Sequence, residues 1–258
     1  MSLLPKEHGA YGQIAFPLVT AFGVAGISTA GLLLTACVVA SFLSHEAAAV
    51  LLGLRGPRAR RCLGRRALRW FGCCLVVGTA AGVGALLTID AAVRWSIAVP
   101  LAPALLLAIA TARGHEKSWH GEVSAALAFS GAAVPVSLAA AAPLKTGLAV
   151  AIPFALLFVA STLAVRVVIL RVRGGGDHRS MRATRRSALA VAGSGLAVLG
   201  VAVTAGALSP FVLVAAAPGL LTAAVIAARP PAPAHLRPLG WTLVAVSVVT
   251  ATIVVVAV

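Results

Sequence analysis

The stretch TAGLLLTACVVASFLSHEAAAVLLGL at 29–54 runs directly into RGPRARRCLGRRALRW at 55–70. The first part is one apolar run, long enough to cross a bilayer core that needs ~20 residues per helix. It is interrupted near its end by His45 and Glu46, and seven arginines follow between Arg55 and Arg69. The same alternation of apolar run and basic connection repeats along the chain. Of its 258 residues 60% are apolar and 10% charged, and the mean hydropathy is +1.04. Soluble domains carry about 45 to 50% apolar residues, so an ordinary soluble protein is excluded.

Breaking the chain where charge, Pro and Gly cluster leaves nine apolar segments, at 10–27, 28–52, 68–88, 92–112, 119–141, 145–170, 187–206, 208–228 and 238–257. The first is the weakest, because Gln13, Pro17 and several glycines interrupt it. Counting Lys and Arg in alternate connections puts nineteen on one side and only Arg94 and Lys145 on the other. Basic residues accumulate on the cytoplasmic side of membrane proteins. The expected fold is therefore an all-α, polytopic membrane bundle of about nine helices, with the N-terminus cytoplasmic and the C-terminus outside. The setting expected is the inner (plasma) membrane of a bacterium. No connection is long enough for a second domain, so residues 1–258 read as one integral membrane domain.

The formal charge of +15 would suggest nucleic acid in a soluble chain. Here the basic residues lie in short connections, so membrane lipids are the expected partners and nucleic acid is not. Cys37, Cys62, Cys73 and Cys74 have no zinc or disulfide spacing and read as packing residues. Gly78 and Gly82 form a G-x-x-x-G pair that reads as close packing within the bundle. The GGG at 174–176 is expected to be a hinge. The opening MSLLPKEHGAYGQ lacks the order of a cleavable signal and is expected to be retained.

The rare polar residues fall on one side. Glu7, Glu46, Glu116, Glu122 and Asp177 lie at the cytoplasmic ends, as do all six histidines, while Asp90 alone lies opposite. Most histidines sit beside an acid: Glu7-His8, His45-Glu46, His115-Glu116, His120-x-Glu122 and Asp177-His178. Ionisable groups at membrane depth are costly and normally face the bundle interior with partners. If the fifth helix begins near Arg113, then His115, Trp119 and Glu122 share one face and Glu116 and His120 another. Imidazole and carboxylate suit borderline divalent metals. Glu7, His8, His45, Glu46, His115, Glu116, His120 and Glu122 are therefore candidate ligands for a divalent metal, and interfacial ion pairs are the alternative. Arg166 lies a turn or more inside the sixth span and is a candidate internal counter-ion. With Arg173 and Lys6 it is a candidate contact for an anionic head group, since the planar guanidinium fork suits phosphate oxygens.

The segments PKEHGAYGQ at 5–13, FLSHE at 42–46 and HEKSWHGE at 115–122 resemble the YwiC-like family of bacterial polytopic membrane proteins. That resemblance implies a membrane protein of similar layout, with no particular activity attached. In layout alone, the chain is also similar to the UbiA-type intramembrane prenyltransferases, which bind a prenyl diphosphate through magnesium held by two Asp-rich motifs. His45-Glu46, and Asp177-His178 with Arg166, stand at the corresponding places, each with one acid.

The function expected is that of an integral membrane protein with a cytoplasm-facing His, carboxylate and Arg site between the second, fifth and sixth spans. As an enzyme it would be a transferase acting on an isoprenoid or phosphorylated lipid. Glu46, Glu122 and Asp177 would hold a cation or act as base, and His45 and His120 would be ligands or acid–base groups. The rivals are a transporter or permease, and a non-catalytic subunit of a membrane complex. A reporter enzyme fused after Val258 is expected to report the outside of the membrane. A cytoplasmic signal would overturn the count of nine crossings.

Overall fold

The computed structural model describes residues 3–5, 8–172, 178–232 and 235–258. Among them the secondary structure is helical throughout, with no strand. The helices are α1 His8–Ala25, α2 Thr29–Leu51, α3 Pro57–Thr88, α4 Ala98–Ala112, α5 Trp119–Gly131, α6 Ala133–Ala139, α7 Leu144–Val172, α8 His178–Thr204, α9 Pro210–Ala228 and α10 Leu236–Ala257. A 3₁₀ turn, Ala91–Ile97, leads straight into α4, and α5 and α6 form one rod bent at Ala132.

All nine apolar segments of the sequence are thus helical. Eight rods are long and apolar enough to cross a membrane, and α1 is the shorter exception. Its 18 residues span about 27 Å at 1.5 Å per residue, slightly less than a hydrocarbon core of about 30 Å.

Two boundaries differ from the expectation. The basic stretch after α2 is not a loop. Gly56, at φ +88°, is followed by Pro57 at the first helical position, and α3 runs from there through the arginines. Proline at that position is preorganised for a helix and gives up only an N–H that would be unpaired anyway. Likewise α8 starts at His178, so the second arginine cluster also lies largely on helix. The expected hinge at 174–176 lies outside the described residues.

The bundle is organised about α7, whose Val150, Phe154, Leu157, Val167 and Val168 are all buried. Phe154 stacks on Phe158 of its own helix and on Phe16 of α1, with ring centroids 5.5 and 6.5 Å apart. One side of α7 packs into a core with α1, α2, α6 and α10; the other packs against α8, α9 and α10. The outer helices show lipid-type faces instead. Leu68, Leu75, Val76, Val83 and Leu87 of α3 and Trp241, Val248 and Val256 of α10 are exposed. Large exposed apolar faces are rare on soluble monomers, and these fit a bilayer as solvent.

Small residues set the helix spacing. Gly78 of α3 lies against Ala40 of α2, and Gly82 lies against Cys37, so this G-x-x-x-G pair closes the α2–α3 hairpin within the chain. All four cysteines are unbridged. Where α9 crosses α7, a Cβ added at Gly219 would stand 2.5 Å from Leu157 Cδ1 and 3.1 Å from its Cβ. Leu157 is fully buried and cannot swing clear. Gly219→Ala is therefore expected to destabilise the bundle by about 1 to 3 kcal/mol, read as a lowered thermal midpoint in detergent. An unchanged midpoint would contradict this packing.

Candidate functional site

Two helix ends build the site, and both end in the same way. At the end of α2, Gly53 has φ +80°; its N–H donates to Val50 O, and the N–H of Leu54 donates to Ala49 O. At the end of α4, Gly114 has φ +71°; its N–H donates to Thr111 O, and that of His115 donates to Ala110 O. Both are Schellman motifs, which need a left-handed residue and so favour glycine. They face each other: a Cβ added at Gly114 would meet Leu54 Cδ2 at 3.6 Å. The residue after each motif is charged, Arg55 in one turn and Glu116 in the other.

Those two residues pair. Arg55 Nη1 donates to Glu116 Oε1 at 2.5 Å, while its Nε and Nη2 donate to Glu46 Oε1 and Oε2 at 2.9 and 2.8 Å. One guanidinium thus joins the end of α2 to the α4–α5 turn through three charge-assisted bonds. The Glu46 hydrogen bond, opposed by partial burial and reinforced by Glu116, raises the Arg55 pKa above its ordinary value. Arg55 therefore stays charged at every physiological pH.

Glu116 has a second neighbour. Its side chain is only 10% exposed, and His45 Nε2 lies 3.1 Å from its Oε2. That spacing suits an ion pair if the ring is protonated, yet Oε2 is buried and has no aligned hydrogen bond. A second bridge lies nearby. Arg166 of α7 donates from Nη1 to Glu122 Oε2 and to Lys117 O, both at 3.0 Å, which ties α7 to α5 and to the preceding turn.

The α4–α5 turn explains the HEKSWHGE segment. The expected fifth segment starts where α5 does, and the condition of a helix beginning near Arg113 is not met: Gly114 ends α4, and α5 starts at Trp119, with Ser118 as its cap accepting from Gly121 N at 3.3 Å. His115 and Glu116 are therefore turn residues, and the shared helix faces do not form. Gly121 is required by a close approach, because a Cβ there would stand 2.4 Å from the Glu116 carbonyl oxygen.

Of the described candidate ligands, His45, Glu46 and Glu116 gather about Arg55, and Glu122 lies with Arg166. His115 and His120 are exposed, and the His120 ring stacks on Trp119 at 3.6 Å. Glu46 and Glu116 are turned to Arg55, and Glu122 to Arg166. Among the described residues no three His, Cys, Asp or Glu side chains form a group that could hold a metal ion. Lys6, Glu7, Arg173 and Asp177 lie outside the described residues, as do the side chains of His8 and His178. In the second arginine cluster, Arg171 and Arg185 donate to Pro230 O and Ala228 O at the end of α9. The Arg185 bond satisfies a carbonyl that the end of α9 leaves unpaired, and the Arg171 bond fixes the chain just beyond it.

Above this polar end lies a cavity of about 590 Å³ between α2, α4 and α5. α2 packs on α3 and α6, and α4 on α5. The space between α2 and α4 stays open because small residues face it, including Ala48, Ala104, Ala108, Ala125 and Ala128. The remaining wall is largely apolar, with Leu34, Phe42, Leu101 and Phe129. Phe42 and Phe129 meet edge to face at 5.7 Å, and Tyr11 meets Phe42 at 5.1 Å. The lining His, Lys and carboxylate groups are His45, Glu116, Lys117 and Glu122, with the thiol Cys37 farther along α2. The site residues not singled out from the sequence are Arg55, one of seven similar arginines, and these wall alanines.

The fold and site define a polytopic helical membrane protein with a polar-ended apolar cavity. The chain belongs to the YwiC-like protein family, which matches residues 4–138. Every residue lining the cavity falls in that stretch. No curated protein and no solved structure matches the chain.

Arg55→Leu is expected to cost about 3 kcal/mol of stability, because it leaves two mostly buried carboxylates without their cation. In a Glu46→Gln, Glu116→Gln background the same change should cost less than half as much, read from detergent unfolding midpoints as a mutant cycle. Equal costs in both backgrounds would contradict the bridge.

Proposed function

We propose that the protein takes a membrane-dissolved, isoprenoid-like lipid into the cavity between α2, α4 and α5, and acts on it as a membrane transferase. The observation that carries this reading is the distribution of polarity along the cavity. From Leu34 to Leu52 the α2 wall runs about 27 Å at 1.5 Å per residue, with the apolar Leu34, Val38 and Phe42 toward one end and His45 toward the other. Binding sites for drug-sized ligands occupy ~300 to 1,000 Å³ with few polar groups that fix orientation. A chain with a polar head matches that pattern, the tail lying along Phe42, Leu101 and Phe129 and the head at Glu116 and His45.

Within this reading each polar residue has a part. His45 and Glu116 are the groups able to exchange a proton with the head. Arg55 and Glu46 hold Glu116 in place, and Arg166 holds Glu122 and the 115–118 turn. The nineteen basic residues support a cytoplasmic location for this end, in an inner membrane. Arg166 bonded to Glu122 is less available to an anionic head group. The diphosphate chemistry of the prenyltransferases therefore draws less support than the lipid cavity itself.

The test is the lipid that stays with the protein. Wild type purified in mild detergent is expected to retain an isoprenoid-type amphiphile by mass spectrometry of extracts. Ala104→Phe and Ala125→Phe, which fill the cavity, should lower its amount at least tenfold at equal thermal stability. An identical lipid complement in wild type and both variants would contradict the reading.

A further inference from the structure

The chain cannot neutralise its own basic charge. It carries 21 Lys and Arg against six Asp and Glu. Glu46 and Glu116 are taken by Arg55, and Glu122 by Arg166. Asp90 accepts from Ala92 N at the start of the 3₁₀ turn, past the far end of α3. At the near end of α3, Arg58, Arg60, Arg61, Arg65, Arg66 and Arg69 are all exposed. Among the described residues none of these six forms an ion pair. Glu7 and Asp177, the acids outside the described residues, are too few to offset them.

Four of the six share one face. At about 100° per residue, Arg58, Arg61, Arg65 and Arg69 fall within an arc of about 80°. The opposite face holds the buried Ala59, Ala67, Gly78 and Ala85 and packs on α2. Arg61 and Arg65, and again Arg65 and Arg69, stand at i, i+4, where like charges repel and weaken a helix. The segment is helical all the same, and an external anion on this stripe would turn that repulsion into attraction.

The same arc, followed along α3, becomes Val76, Val83 and Leu87, which are 69%, 51% and 77% exposed. The stripe therefore continues a lipid-facing surface. The 32 residues of α3 measure about 48 Å, against ~30 Å of hydrocarbon and ~40 to 45 Å with both head-group layers. With Thr88 at one edge of the hydrocarbon, the other edge falls about 20 residues back, at Arg69. Arg69 and Arg65 then stand in the head-group layer, Arg61 at its margin, and Arg58 about 16 Å from the hydrocarbon, in water.

We propose that Arg65 and Arg69, with Arg61 at the margin, bind the phosphate of an anionic phospholipid whose acyl chains lie along Val76 and Val83. Two guanidinium forks one turn apart give a phosphate donors from two sides, and the adjoining apolar face gives the chains a surface. The six arginines stand apart from the lining of the cavity, so this site is separate from the one discussed above and does not depend on it.

The experiment titrates the full-length protein in detergent micelles with phosphatidylglycerol and with the zwitterionic phosphatidylcholine, and reads the affinity of the first lipid bound by native mass spectrometry. Wild type is expected to prefer phosphatidylglycerol by at least about fivefold. Arg65→Gln with Arg69→Gln should remove most of that preference. Arg58→Gln with Arg60→Gln, which removes the same charge farther from the hydrocarbon, should leave it nearly unchanged. Equal affinity for the two lipids in wild type would overturn the site, and so would equal losses in the two double variants, which would show diffuse attraction by net charge. Wild type alone decides the question if a variant does not fold. In phosphatidylglycerol bilayers, solid-state NMR should detect coupling of lipid phosphorus to the guanidinium carbons of Arg65 and Arg69 and not of Arg58. Coupling to none of the three, or to all three alike, would overturn the proposal.

Discussion

The geometry of this protein's polar end depends on one guanidinium with three donors in use. Arg55 stands in the turn after α2 and holds a carboxylate from its own helix and another from the α4–α5 turn. The two turns can meet because each is a glycine-terminated helix end of the same form, and the charged residue that follows each motif lands opposite the other. Arg is suited to this position where Lys is not, since a planar fork can satisfy two carboxylates at once. The bridge closes one end of the space between α2 and α4 but does not fill it. The alanines that line both walls leave a volume that the fold makes no attempt to pack.

That division of labour runs through the whole bundle. α7 and α9, with their close glycine contact and the aromatic stack around Phe154, form a closely packed centre. The hairpin of α2 and α3 is equally tight, Gly78 and Gly82 lying against Ala40 and Cys37. Between these two bodies lies the cavity, with its acids and imidazole gathered where the chain is richest in arginine. Arg166 reaches from the tightly packed α7 to Glu122 and the 115–118 turn, which ties the polar end of the site to the centre of the bundle. The matched family stretch, 4–138, contains every lining residue, while this anchor comes from beyond it.

The helices were legible because a bilayer demands long apolar runs, and the alternation of basic residues set their register. Nine segments read from hydropathy are nine helical rods, with only α1 falling short of the length of the others. The helix starts were less legible. Arginine is a good helix former, so the run from Arg58 to Arg69 extends α3, where charge alone suggested a loop. The spacings of His115 and Glu116 would share helix faces only with a helix beginning near Arg113. The deciding residue was Gly114, whose positive φ ends α4 before that spacing can matter. The site itself was half visible: His45, Glu46 and Arg166 stood out as charges inside their spans, and Glu116 and Glu122 as rare acids at cytoplasmic helix ends. Their partners did not, because Arg55 looks like its six neighbours and meets Glu116 across 61 residues of chain. Alanines facing a cavity read in sequence as ordinary membrane-helix packing.

The most direct measurement is solid-state NMR of the protein in lipid bilayers, detecting the dipolar coupling between the Arg55 guanidinium nitrogens and the side-chain carboxyl carbons of Glu46 and Glu116. Hydrogen-bond-range couplings from Arg55 to both carboxyls are the predicted result. A coupling to neither, with Arg55 exchanging freely with water, would contradict the bridge on which the cavity and its polar end depend.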